Sequence, residues 1–235
     1  MPSETTKTLL RDVSTATLAT ALFKRGFKHQ YIQNVQPLGP LQASMVGEAF
    51  TLRYMPARED LDTLDSFRDR GHLQRQAIET CPPGAVLVID SRKDARAASA
   101  GGILITRLMQ RGAAGVVTDG GFRDSAEIGS LGFPAYHSRP SAPTNLTLHH
   151  AVAINDPIGC GDAPVFPGDI IVGDADGVIV IPAHIADDVA QEAVNMTLFE
   201  DFVTAQVRAG ATILGLYPPT DPESERKFAA WKQSR

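Results

Sequence analysis

The segment Asp119-Gly120-Gly121-Phe122-Arg123-Asp124 carries residue types suited to chemistry on a small acid. Two glycines allow the backbone to approach a ligand closely, and Arg123 offers a planar fork that matches a carboxylate. Asp124 offers a hard oxygen donor of the kind Mg²⁺ or Mn²⁺ accepts. An adjacent Arg and Asp also fit a pair that neutralises itself or faces solvent, and spacing alone does not separate these cases. Gly101-Gly102-Ile103-Leu104 bears on the choice, because it opens a helix whose unpaired N–H groups and positive dipole end favour an anion. The same glycines serve equally as packing or turn residues. Taken together, a helix N-terminus plus Arg123 would bind a carboxylate while a metal on Asp124 reached a neighbouring carbonyl oxygen. That combination suits a 2-oxo acid.

These residues need a scaffold, and the pattern supplies one. Ala85-Val86-Leu87-Val88-Ile89 is a continuous apolar run ending at Asp90, the signature of a strand buried on both faces. From Gly101 to Arg111, Leu104 and Leu108 fall on one helical face with Ile105 and Met109 beside them, and Gly112 supplies the stop. Ala114 to Asp119 returns as a second buried strand, so 85–119 predicts a strand, helix, strand unit with parallel strands and a right-handed crossover. In open α/β sheets ligands bind beyond the carboxyl ends of the strands, where both glycine-rich segments fall.

Around this unit, Ser14 predicts an N-cap before Leu18 and Leu22, Val46 to Tyr54 alternates as a strand, and Leu73 to Thr80 reads as a helix after a charged loop. Asp174-Ala175-Asp176-Gly177 predicts a hairpin turn; a calcium loop would need further ligands that the spacing lacks. Ala183 to Ala209 reads as one long helix carrying Glu200-Asp201. In the tail, Asp221 caps a short helix with Pro222 at its first position, and Phe228 and Trp231 lie three apart.

Composition narrows the class. The 235 residues hold 22 Lys and Arg against 27 Asp and Glu, a net charge of −5 without a basic stripe, which argues against nucleic-acid binding. At 43% hydrophobic and 21% charged the chain reads as globular, with no apolar run long enough to cross a bilayer and no secretory pattern at the start. No membrane association and a cytoplasmic location are therefore expected. Cys81 and Cys160 read as small buried side chains.

Gly101-Gly102-Ile103-Leu104, the 22-residue step from Gly101 to Arg123, the strand Gly115 to Gly120 and the Arg123-Asp124 pair resemble the class II 4-hydroxy-4-methyl-2-oxoglutarate aldolases. These belong with the RraA-like proteins, named for the regulator of ribonuclease activity A. The resemblance runs from about residue 10 to 210 and includes Val46-Gly47-Glu48-Ala49 and Pro167-Gly168-Asp169-Ile170-Ile171-Val172. It implies an α/β fold: a β/β/α swivelling domain of the phosphohistidine type over 1–210, with a central βαβ unit. The tail from Ala211 is not covered by the resemblance; its own residues predict, over 211–235, a C-terminal helical extension packed on the body or on a neighbouring subunit. The resemblance also implies a homotrimer or dimer of trimers with sites between subunits.

By the same resemblance, Arg123 and the backbone of Gly101, Gly102, Ile103 and Leu104 would hold a pyruvyl group, and Asp124 would be the direct protein ligand of a divalent metal, Mg²⁺ or Mn²⁺, completed largely by water. Aldolases of this kind usually carry Asp or Glu where this chain has Gly102. They also draw an acidic residue from a neighbouring subunit, for which Glu200 or Asp201 is the candidate. The implied reaction cleaves a 4-hydroxy-2-oxo acid to pyruvate and a carbonyl product, with oxaloacetate decarboxylation as a related possibility. No lysine sits in the motif, which argues against a Schiff base, and His137, His149 and His150 are polar residues without an assignable partner. The rivals are a non-catalytic regulatory binding protein and a dehydratase of keto-deoxy sugar acids on the same scaffold.

Overall fold

The computed structural model describes residues 3–233. Its centre is a nine-stranded mixed sheet. Ala85–Asp90 lies between Met45–Pro56 and Gly115–Thr118 and is parallel to both, and Ala135–His137 continues the parallel run beside Gly115–Thr118. On the other side of Met45–Pro56 the sheet turns antiparallel through the hairpin Ile170–Asp174 and Gly177–Ile181. Asp174 faces Gly177 in the register, so the expected two-residue turn is present, with Gly177 at φ +141°.

The central strand explains why the sheet holds together. Val86 and Val88 pack into one apolar cluster with Ile171, Val178 and Val180, whereas Leu87 and Ile89 pack into another with Ile105, Leu108 and Ile128. Successive side chains of a strand point to opposite faces, so a continuous apolar run is what two covered faces require. The helices Leu73–Thr80 and Gly102–Gln110 cover one face. A third cluster seats the helices Glu4–Leu10, Thr15–Lys24 and Ala186–Arg208 on the antiparallel half, through Leu18, Leu22, Val189 and Ala193 against Ile170, Val172 and Ile179. Ser14 caps the second of these helices, its Oγ accepting from the Thr17 N–H at 3.1 Å.

Three local features depart from the sequence expectations. The long helix begins at Ala186, after a 3₁₀ turn at Ala183–Ile185. The charged loop after Met45–Pro56 contains a 3₁₀ turn, Leu64–Arg68. Beyond the sheet edge, three short parallel strands, Ala98–Ala100, Gly121–Phe122 and Arg139–Pro140, form a separate small sheet. They are too short for a periodic signal, yet they set the geometry of the site. The tail follows expectation: the Asp221 carboxylate accepts from the Glu223 N–H at 2.9 Å at the start of Pro222–Gln233, and Phe228 and Trp231 pack on Phe199 and Phe202.

Candidate functional site

Gly115–Thr118 delivers the chain to Asp119, and this first acid of the motif is structural. Its Oδ1 accepts from the Ser91 N–H at 2.7 Å, and its Oδ2 accepts from the N–H groups of Lys93 and Gly161 at 3.1 Å each. Burial pushes its carboxyl above the ordinary carboxylate range while these N–H donors oppose the shift. Asp119 thus ties three separate segments together at the carboxyl edge of the sheet. Gly120 follows because nothing larger fits: a Cβ there would lie 2.6 Å from Ser91 Cβ and 2.7 Å from Ser99 Oγ.

Gly121–Phe122 then threads between the two other strands of the small sheet, with Phe122 fully buried. The Arg123 N–H donates to the Ala100 carbonyl at 3.1 Å, which brings Arg123 beside Gly101. Asp124 sits in the left-handed region at φ +58°, ψ 34°, a conformation Asp tolerates better than most residues, and turns the chain into the helix Ser125–Ser130. Its Oδ2 accepts from the Gly102 N–H at 3.1 Å and lies 3.7 Å from Arg123 Nε. A Cβ on Gly101 would stand 2.7 Å from Arg123 Cγ and 3.0 Å from Asp124 Oδ2. Gly101 is therefore required for the close approach of the two segments.

Gly101, Ile103, Leu104, Arg123 and Asp124 line one cavity of about 290 Å³ at the sheet's carboxyl edge. Gly102 is buried and not part of the lining, and its N–H donates to Asp124. The cavity is also bounded by Phe67, Arg75 and Asn145, which come from the 3₁₀ turn, the helix Leu73–Thr80 and the 3₁₀ turn Asn145–Thr147.

Gly102 has a neighbour that the sequence did not single out. A Cβ built on it would lie 3.1 Å from Glu127 Oε2 and 3.3 Å from Asp124 Cβ. The space into which an acidic side chain at 102 would project is thus already bordered by the carboxylate of Glu127. The signal was present in the chain: Glu127 lies three residues after Asp124, in the first turn of the helix that Asp124 precedes. Arg75 and Asn145 carried no such signal, since each reaches the site from a distant element.

Other candidates lie elsewhere. His137 is buried and stacked on Phe122, and burial lowers its pKa to about 4, so it is neutral at pH 7. His149 is buried against the Tyr54 ring, and His150 faces Asp62 with Nδ1 2.8 Å from Oδ1. None of them lines the Arg123 cavity. Both cysteines are buried free thiols, with burial raising the Cys81 thiol to about 12. Glu200 and Asp201 lie on Ala186–Arg208. Glu200 accepts from Thr17 Oγ1 at 2.8 Å and borders a different groove of about 890 Å³ beside Tyr217.

Residues 15–180, which include this site, match the model of a known family described as RraA-like (Aldolase/RraA). The chain belongs to the RraA-like family. A protein of Halalkalibacterium halodurans named "Putative 4-hydroxy-4-methyl-2-oxoglutarate aldolase" is 40% identical over 118 residues, which are 50% of this chain and 56% of that protein. The chain thus matches little more than half the length of that relative. Among solved structures, Streptomyces coelicolor RraAS2, described as an unusual member of the RNase ES inhibitor RraA protein family, superposes with a TM-score of 0.76 at 28% identity, covering 86% of this chain and 96% of that one. An uncharacterised Pseudomonas syringae protein gives 0.79 at 21% identity, covering 90% and 92%, and shows the shared fold. The RraA-like architecture, with its central βαβ unit and helical C-terminal extension, is thus that of this chain. Among the described residues no helix is long and apolar enough to cross a membrane.

Proposed function

We propose that this RraA-like protein is a divalent-metal-dependent lyase that cleaves a 4-hydroxy-2-oxo acid between C3 and C4 to give pyruvate and a carbonyl product. The observation that carries this reading is the juxtaposition of Arg123 with the Asp124 carboxylate at a helix N-terminus on the open edge of the sheet, with Glu127 beside the same helix start at Gly102. The donor set fits a small hard cation. Mg²⁺ takes one or two carboxylates and keeps several waters. Asp124 and Glu127 would hold the ion. When bound, the cation supplies electrophilic stabilisation of the charge that develops on the 2-oxo oxygen as the carbon–carbon bond breaks.

The chain's own groups account for binding and orientation. Arg123, a half-exposed side chain that lines the cavity, would pair with the substrate carboxylate through two parallel N–H···O bonds. The first turn of Gly102–Gln110 presents its positive end to the same anion. As the bond breaks, the C4 hydroxyl loses its proton, C4 becomes a carbonyl, and the electron pair passes to C3, which is then protonated to yield pyruvate. The cavity lining contains neither lysine nor histidine. We assign the acid–base work to Asp124, with Glu127 beside it. Glu127 takes over the place of an acid at position 102. We further propose a homotrimer or dimer of trimers in which Glu200 or Asp201 of one copy approaches the Arg123 site of another.

A second reading, a regulator acting through protein contact, draws support from the likeness to RraAS2. Metal binding separates the two. Titration of Mn²⁺ should give a site that weakens at least tenfold in Asp124→Asn and in Glu127→Gln, on the scale of losing one charged ligand. Equal affinity in all three proteins would remove both carboxylates from the ligand role and favour the regulator.

A further inference from the structure

The Arg123 cavity has a second basic wall that the cleavage chemistry does not use. Arg75 lines the cavity from the helix Leu73–Thr80, its guanidinium carbon 4.6 Å from the centroid of the Phe67 ring. Phe67 is in turn braced edge-on by His72, with ring centroids 5.5 Å apart. This clamp fixes the guanidinium plane without neutralising it, because an aromatic face attracts a cation and leaves its N–H groups available. Arg75 Nε is buried and has no hydrogen-bond partner. Asn145 enters from the 3₁₀ turn Asn145–Thr147; the residue is only 5% exposed, and its Nδ2 likewise has no partner.

Buried donors left unmatched cost about 1–3 kcal/mol each, so two of them on one cavity wall call for a ligand that supplies acceptors. The charges point the same way. Two guanidiniums and a helix N-terminus face the cavity, whereas Asp124 is the one acid in its lining. Arg123 serves one carboxylate; Arg75 is left for another.

We propose that Arg75, supported by Asn145, is the specificity-determining residue for the half of the substrate that becomes the carbonyl product, and that it selects a carboxylate there. The assignment rests on the proposed lyase reading, with Arg123 as the anchor of the pyruvyl carboxylate, and adds to it the residue that reads the distal end. A guanidinium already oriented by Phe67 loses little freedom on pairing with that carboxylate, and the Asn145 amide supplies a further N–H.

The test compares two 4-hydroxy-2-oxo acids that differ at the distal end, 4-hydroxy-2-oxoglutarate with a carboxylate and 4-hydroxy-2-oxopentanoate with a methyl group. Wild-type protein with Mg²⁺ should prefer the first in kcat/KM by about thirtyfold or more, as a built polar site discriminates against a ligand lacking its partner. In Arg75→Met, which keeps an apolar side chain on Phe67, that ratio should fall at least tenfold, and Arg75→Lys should retain part of it. Asn145→Asp, which replaces a donor with a like charge, should lower the ratio as well. An unchanged ratio in Arg75→Met overturns the assignment. Binding gives an independent readout: 2-oxoglutarate should bind wild type at least tenfold more tightly than 2-oxohexanoate, and Arg75→Met should erase the difference. If neither hydroxy acid is cleaved but this binding difference and its loss are seen, the lyase reading fails and the carboxylate subsite stands. If the acids are cleaved and the binding difference persists in Arg75→Met, the subsite is wrong and the lyase reading stands.

Discussion

Arg123 and Glu127 make different contributions, and substitutions separate them. A lysine at 123 keeps the charge but cannot reproduce two parallel bonds to a carboxylate, so Arg123→Lys should lower kcat/KM by about 2 kcal/mol, roughly thirtyfold. Steady-state kinetics that match wild type would show that Arg123 makes no such contact. Glu127→Ala should lose activity through the missing carboxylate. Adding Gly102→Asp to that variant should restore part of it, because the Cβ at 102 points to the space that Glu127 Oε2 borders. A double variant no more active than Glu127→Ala would mean that the two positions do not serve one site. His137 yields a prediction on stability. Its folded pKa, about 4, lies below the unfolded value of 6.5, so the unfolded chain takes up the proton first and stability falls as pH drops from about 6.5 towards 4. His149, lowered by burial, acts in the same direction. His137→Phe, which keeps a ring against Phe122, should flatten that decline by about 2–3 kcal/mol across the window. Denaturant unfolding at pH 7 and pH 4.5 measures it; an equal decline in both proteins would place the acid sensitivity elsewhere.

At the scale of elements, the site depends on the helix Gly102–Gln110 being held against the sheet. Leu108 is fully buried in the cluster with Leu87 and Ile105, so Leu108→Ala should cost about 2–5 kcal/mol in unfolding free energy. A loss under 1 kcal/mol would mean that the helix is not seated as described. This is also the scale at which the sequence was most informative. The apolar run at 85–89 and the Leu104, Ile105, Leu108 pattern encode burial directly, so the parallel unit and its carboxyl edge were legible. Asp119 was not, because a carboxylate that serves three backbone N–H groups looks in sequence like any other acid of a polar motif. The three short strands around Phe122 were hidden for another reason: two or three residues carry no period. Arg75 and Asn145 were invisible as site residues because only tertiary packing brings their elements beside Arg123.

For the whole molecule, the position of Glu200 is the informative fact. Within one chain it is bonded to Thr17 and borders a groove separate from the Arg123 cavity. In the assembly proposed above, it or Asp201 would reach that cavity from another copy of the chain. Mixing Arg123→Ala with Glu200→Gln and letting subunits exchange should then recover part of the activity that each variant lacks, and the same trial with Asp201→Asn should tell the neighbours apart. Verified exchange without recovery would confine the site to one chain. The claim on which these expectations depend is metal-assisted cleavage at Arg123 and Asp124, and pyruvate release from 4-hydroxy-4-methyl-2-oxoglutarate measures it directly. Pyruvate should form with Mg²⁺ or Mn²⁺, stop when the metal is chelated, resume when it is returned, and be absent in Asp124→Asn. Undiminished pyruvate release from metal-free protein, or from Asp124→Asn, would contradict it.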